Sequence, residues 1–201
     1  NLDDVDWLCA GINHQAWFYK FQKDGQDLLP RIRELAIDPK IWGGDSVRME
    51  MVKHFGFPVT ESSGHGSEYT PWWRKHPELV EQYCPGGSWN GGSGFIKELY
   101  ARPDWKADME KMANGEKEIS LERSEEYGAQ IIHAAEGGET VIVHGNVQNT
   151  GLIDNLPNGS CVEVPVFVDR NGLQPMKVGE IPMANAAINQ TQINVQRLAV
   201  E

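Results

Sequence analysis

The sequence contains no G-x-G-x-x-G turn between an apolar strand and a helix, and that lack removes the phosphate cradle of a dinucleotide-binding βαβ unit. Its densest glycine stretch, Gly86-Gly87-Ser88-Trp89-Asn90-Gly91-Gly92-Ser93-Gly94, follows Tyr83-Cys84-Pro85 instead of a strand. Residues 84–95 are therefore predicted to be a flexible glycine-rich loop. No apolar run approaches the roughly 18 residues of a membrane span, so no membrane partner is expected. Cysteine is scarce: Cys9, Cys84 and Cys161 are an odd number at spacings that make neither a zinc knuckle nor a disulfide framework. Reduced thiols and a cytoplasmic location follow as the expectation. Positive charge is in deficit, with 18 Lys and Arg against 29 Asp and Glu and a net charge of -11 at pH 7. Without a basic cluster, such a chain repels nucleic acid phosphates, whereas neutral sugars tolerate it. The acidic residues that stand out, Glu61, Glu68 and Glu163, have no spacing that sets two of them across a sugar, so each is read as structural.

What is present begins with an apolar run, Val5 to Ile12, short enough for a strand and ending on an amide and an imidazole, Asn13-His14. Ala16 to Phe21 reads as a second, aromatic strand closed by the turn Lys23-Asp24-Gly25-Gln26. His14 thus falls in a strand-to-strand corner facing a cleft, where a histidine is more often a structural hydrogen bonder than a ligand. Helical spacing follows at Leu28 to Ile37, and from Ser46 to a left-handed stop at Gly56. Residues 58–74 read as a loop rich in hydroxyls, histidine and aromatics. Further helices are predicted at Pro77 to Tyr83, Asp104 to Gly115 and Leu121 to Ala135, the last burying Tyr127, Ile131, Ala134 and Ala135. Strands are predicted at Thr140 to Gly145, Cys161 to Val168 and Pro175 to Val178, with Asp169-Arg170-Asn171-Gly172 as a hairpin turn. A terminal helix from Met183 to Val200 carries Ala184, Ala187, Ile188, Thr191, Val195 and Leu198 along one stripe. The fold class is α+β, one domain over 1–201.

The blocks Cys9-Ala10-Gly11-Ile12-Asn13-His14-Gln15-Ala16-Trp17-Phe18, Asp45-Ser46-Val47-Arg48-Met49-Glu50-Met51, Thr60-Glu61-Ser62-Ser63-Gly64-His65-Gly66-Ser67-Glu68-Tyr69-Thr70-Pro71-Trp72, Gly145-Asn146-Val147-Gln148-Asn149-Thr150-Gly151-Leu152-Ile153-Asp154-Asn155-Leu156-Pro157 and Val162-Glu163-Val164-Pro165 run in order through most of the chain. In them the sequence resembles the family 4 glycoside hydrolases, NAD- and manganese-dependent enzymes that are a known exception to the two-carboxylate glycosidase scheme. The resemblance implies a lactate/malate-dehydrogenase C-terminal-domain-like fold with antiparallel strands and packed helices. It also implies that 1–201 is the substrate- and metal-binding part of a longer enzyme whose NAD-binding domain lies outside the chain, the alternative being a stand-alone relative. The opening on Asn1-Leu2-Asp3-Asp4 without methionine, and a last helix that runs to the end, fit that expectation.

The chemistry implied is oxidation of the sugar at C3 by NAD, metal-assisted removal of the C2 proton, elimination, addition of water and reversal. Carried over, His14 is a ligand to Mn2+; the family's cysteine ligand and its general acid precede these blocks and are not in this chain. Cys9 does not replace that cysteine, because it sits in the apolar run and its side chain lies on the opposite face from His14. Tyr69 is the candidate base for the C2 proton, its phenol lowered by a metal ion or a guanidinium, or else a tyrosine packed beside Trp72 and Trp73. Asn13, Arg48, His65, Asn146 and Asn149 are the candidate substrate contacts, with Asn155 completing a lining of amides; for Asn13, Arg48 and His65 a structural role is equally open. The implied substrate is a small glycoside, an α-galactoside first, with α-glucosides and α-galacturonides as alternatives, and the implied assembly a homodimer or homotetramer. Other classes remain: a sugar or hydroxy-acid dehydrogenase, with net reduction of NAD, or a noncatalytic carbohydrate-binding or oligomerisation module. No basic cluster suits a 6-phosphate.

Overall fold

A computed structural model describes residues 4–86, 100–101, 104–122 and 126–201. Most of the glycine-rich loop predicted at 84–95 lies outside these residues. The chain opens with a hairpin, β1 (Asp6–Ile12) and β2 (Gln15–Lys23), paired from Asp6↔Gln22 to Ile12↔Gln15 with a bulge at Leu8/Cys9. A short β3 (Gln26–Asp27) extends it. After the helices come β4 (Val141–Gln148), β5 (Cys161–Asp169) and β6 (Gly172–Pro175), giving one antiparallel sheet in the order β3-β2-β1-β5-β4, with β6 on β5. The two halves join through Gly11↔Glu163. This is the α+β class expected.

The intervening helices are α1 (Leu29–Leu35), α2 (Pro39–Gly44), α3 (Ser46–Phe55), a single turn α4 (Ser63–Gly66), α5 (Pro77–Tyr83), α6 (Trp105–Ala113) and α7 (Gly128–Ala135). Gly56, at φ 82°, ends α3 in the left-handed conformation that lets its N–H cap Val52. The helix predicted over 121–135 is shorter than its periodicity: residues 121–122 are not helical and α7 starts at Gly128, burying Ala134 and part of Ile131 while Tyr127 and Ala135 are exposed. The last strand is also displaced, β6 lying immediately after the Asp169–Gly172 turn, because pairing on β5 starts as soon as the chain reverses.

Two clusters form the core. Alternate valines of β5, Val162, Val164, Val166 and Val168, meet Ile12, Ile153, Ile181 and Ile193, the two-residue period of a strand with one face inward. Trp17, Val47, Met51, Val59 and Trp73 form the other, under the loop that follows α3. The terminal helix α8 (Met183–Val200) has the predicted bounds but another face inward. Asn185, Ala186, Asn189 and Ile193 are buried, whereas Ala184, Ala187, Thr191, Val195 and Leu198 of the predicted stripe are exposed and Ile188 is half-buried. Asn189 faces inward because the hairpin needs a partner there: it accepts from the Trp17 indole at 2.6 Å and donates to the Gln15 carbonyl at 2.9 Å. Gly11, at φ 150°, lets the helix approach, since a Cβ would lie 2.9 Å from the Asn189 amide nitrogen. Among the described residues no helix is long and apolar enough to cross a membrane.

Candidate active site

The β1–β2 turn consists of Asn13 and His14 alone, and His14 has φ 61°. A left-handed non-glycine residue costs about 1–2 kcal/mol, and such strain gathers where a side chain must be held for a purpose. Here it holds the imidazole against the loop after α3. His14 Nδ1 makes a very short hydrogen bond to Glu61 Oε2. The His14 ring stacks on Tyr69 at 5.4 Å and 11° and meets His65 edge-on at 4.7 Å. Tyr69 Oη lies 3.1 Å from His65 Nε2, and His65 Nδ1 lies 2.7 Å from Glu68 Oε2. Ionised carboxylates accept only, so each imidazole donates from Nδ1 and keeps Nε2 as a lone-pair donor.

The loop carrying these groups is tied down from behind. The Arg48 guanidinium, rising from α3, donates to the carbonyls of Val59, Thr60 and Glu61 at 3.0–3.1 Å and to Asp45 at 2.5 Å. Asp45 in turn accepts from the Ser63 backbone at 3.0 Å and from its hydroxyl. Gln192 of α8 donates a very short hydrogen bond to the Tyr69 carbonyl. Arg48 therefore fixes the loop, and its fork is not offered to a substrate in this arrangement.

The electrostatics separate the carboxyls. Burial would raise Glu61, but hydrogen bonds from His14 and from the backbone and hydroxyl of Ser62 outweigh it and hold the carboxyl below its ordinary value. Burial pushes Glu163 up, His14 opposing and Glu61 adding to the rise. The Tyr69 phenol is raised, first by burial and then by Glu61 and Glu68, so the lowering by a guanidinium is not what this arrangement gives. Cys9 is 2% exposed, with its thiol pushed far up chiefly by burial, which suits a core residue and not a ligand.

His14, Glu61 and His65 offer donor atoms that all lie within 4.8 Å of one another. Imidazole nitrogen with carboxylate oxygen is a set that Mn2+ accepts, and a carboxylate behind a ligating imidazole is the usual support for a metal-bound histidine. The residues present thus fit the ion. Of the other expected contacts, Asn13 is exposed on the same turn. Asn146 is exposed on β4, in register with Glu163 and through it with Gly11. Asn149 is not brought to the cluster: its side chain is buried, donating to the carbonyls of Ile153, Leu156 and Pro157 and accepting from the N–H groups of Leu152 and Ile153. Asn155 likewise binds the backbone of Ile181. Glu61 and Glu163, read from sequence as structural, both stand beside His14. Glu61 was visible in the Thr60–Trp72 block, but no spacing reveals a contact made across 47 residues.

Residues 9–201 match the model of the family 4 glycosyl hydrolase C-terminal domain. The chain belongs to that family. An α-galactosidase of Bacillus subtilis (strain 168) is 40% identical over 99% of this chain and 46% of its own length. An α-galactosidase of Rhizobium meliloti (strain 1021) is 33% identical over 98% and 42%. The chain thus spans less than half the length of these family 4 relatives. Among solved structures, a Bacillus subtilis protein described as a glucosidase superposes with a TM-score of 0.78 at 24% identity, over 97% of this chain and 47% of that one. A 6-phospho-α-glucosidase from gut microorganisms, in complex with NAD and Mn2+, gives 0.62 at 21%, over 100% and 46%. The latter likenesses carry the fold, and they agree with the α+β domain expected for family 4.

Proposed function

We propose that this chain is the substrate- and metal-binding domain of an NAD- and Mn2+-dependent α-glycosidase acting on α-galactosides, with NAD held mainly by residues outside it. The observation that carries the reading is the cluster at the hairpin tip, in which His14, Glu61 and His65 converge within 4.8 Å beside Tyr69. When bound, the two cofactors supply hydride acceptance at sugar C3 and polarisation of the resulting ketone. His14 would hold the ion through Nε2, its ring oriented by Glu61. Tyr69 Oη takes the C2 proton. Because burial and two carboxylates raise that phenol, it needs an acceptor for its own proton, and His65 Nε2 stands 3.1 Å away with Glu68 behind it. Asn13 and Asn146, exposed at the rim, bind sugar hydroxyls.

The choice of sugar rests on likeness and on charge. The α-galactosidases are 40% and 33% identical, against 29% for an α-galacturonidase of Lachnoclostridium phytofermentans and 22% for a maltose-6'-phosphate glucosidase of Fusobacterium mortiferum. A uronate or a 6-phosphate would meet Glu61, Glu68 and Glu163 with Arg48 already committed to Asp45 and the loop backbone. The test is nitrophenol release from α-galactoside and α-glucoside by the full-length enzyme, with and without NAD and Mn2+. Activity on the galactoside that requires both is expected. Activity without cofactors would overturn the redox mechanism, and net reduction of NAD would make the enzyme a dehydrogenase. The 201 residues alone should bind no NAD, and stoichiometric binding would overturn the division of labour.

A further inference from the structure

The loop that carries Glu61, His65 and Tyr69 is anchored unevenly. Its first part is pinned from several sides. The Phe18 N–H donates to the Pro58 carbonyl and the Thr60 N–H to the Ala16 carbonyl, both at 2.9 Å. Arg48 gathers the carbonyls from Val59 to Glu61, and Asp45 holds Ser63. Beyond Ser63 the loop is tied mainly to itself, as where Arg74 donates to the Ser67 hydroxyl at 2.9 Å. Among the described residues, a single hydrogen bond from outside the loop reaches residues 64–73, and it runs from the Gln192 side-chain amide of α8 to the Tyr69 carbonyl.

One turn before Gln192 on the same helix stands Asn189, which donates to the carbonyl of Gln15, the residue next to His14 in the hairpin. Residues three apart on a helix share a face and rise by about 4.5 Å. A single turn of α8 therefore grips the backbone beside His14 with one amide and the backbone of Tyr69 with another. Between these grips the His14 and Tyr69 rings lie stacked at 5.4 Å and 11°. The peptide of Tyr69 sets the direction in which its side chain leaves the backbone, so a carbonyl held by α8 fixes where the phenol stands. Proton transfer requires heavy atoms within about 2.6–3.2 Å, and a displacement of about 1 Å can cost a hundredfold in rate.

We infer that Gln192 is a positioning residue for the Tyr69 phenol, and that the turn from Asn189 to Gln192 sets the geometry between Tyr69 and His14. The inference rests on the proposed role of Tyr69 as the base. Gln192 acts through the backbone of Tyr69 and needs no contact with sugar or ion.

The experiment uses the full-length enzyme with an α-galactoside, NAD and Mn2+. Gln192→Met keeps the length of the side chain but cannot donate, whereas Gln192→Lys keeps a donor. The Met variant should lose about tenfold in kcat with KM within about twofold, the mark of an interaction that matters in the transition state. The Lys variant should recover to within about threefold of wild type. A lower melting temperature with unchanged kcat per folded molecule, or equal losses in both variants, would overturn the inference. In a Tyr69→Phe background, Gln192→Met should slow C2-proton exchange no further, and losses that multiply would show that Gln192 acts elsewhere. Fluorine NMR of 3-fluorotyrosine in place of Tyr69 reads the ring without the chemistry. Its resonance should shift or broaden with Gln192→Met and return with Gln192→Lys; a line that ignores both removes Gln192 from this role. A line that follows Gln192, in an enzyme whose C2 exchange survives Tyr69→Phe, would sink the base assignment and leave Gln192 as the residue that sets the ring.

Discussion

The hairpin turn Asn13-His14 and the loop that follows β4 at Asn149 both place amide or imidazole groups at the end of an apolar strand, yet their polar atoms go to opposite uses. In the loop, Asn149 spends its amide on five backbone groups between Leu152 and Pro157. It is 1% exposed and makes one compact turn of that segment. At the hairpin, His14 is 37% exposed at its side chain and bonds to another side chain, Glu61, itself 20% exposed. The first arrangement removes donors and acceptors from the reach of a ligand. The second keeps two imidazole Nε2 atoms and a phenol beside one another at an accessible surface. A buried asparagine with every atom paired to backbone stabilises, whereas side chains paired to side chains at half burial are available for chemistry.

The contrast predicts separable losses. His14→Ala should cost the full-length enzyme several kcal/mol of transition-state stabilisation, about a thousandfold in kcat/KM, with a melting temperature lowered by only about 2–4 °C as the hydrogen bond to Glu61 is lost. Retention of Mn2+-dependent turnover would remove His14 from the site. Asn149→Ala should do the reverse, lowering stability by about 3 kcal/mol because several buried backbone groups lose their partner at once. Its kcat per folded molecule should stay at wild type, and a variant with a normal urea midpoint but lost activity would return Asn149 to substrate binding. Tyr69→Phe falls between, slowing exchange of the sugar C2 proton with solvent by about a hundredfold, the lower end for a general base. Sugar binding should weaken far less. Unchanged exchange would assign the base elsewhere.

The elements were legible where local signals agree. The α3 helix begins at Ser46 and ends on Gly56 as read, and α8 has the bounds read from its sequence. The face of α8 was not legible. Periodicity marks Ala184, Ile188, Val195 and Leu198 as apolar, but burial is decided by the unpaired backbone and indole of a hairpin 172 to 174 residues away, which select Asn189. The site divides similarly. His14 and His65 are conspicuous as a polar residue ending a strand and one flanked by glycines, whereas Tyr69 is singled out only by what the family resemblance implies. Glu61 is read from the sequence as structural, because a lone glutamate between Thr60 and Ser62 shows no partner until His14 is folded against it.

That pairing gives the smallest effect and the sharpest one. The folded-state Glu61 carboxyl lies below its ordinary value of 4.5, burial notwithstanding, because His14 and Ser62 hydrogen-bond to its ionised form. A carboxyl with a depressed folded pKa contributes stability that is complete above about pH 4.5 and disappears as pH falls through the folded value. The difference in urea midpoint between wild type and Glu61→Gln should therefore shrink as pH falls below about 4.5. The same substitution removes the carboxylate that orients His14, so Mn2+ affinity should fall by about 10- to 100-fold at neutral pH. Stability curves that stay parallel into acid would show that Glu61 is not held ionised by His14. Affinity loss without any pH-dependent stability difference would make Glu61 a direct ligand to the ion instead of the support behind the imidazole.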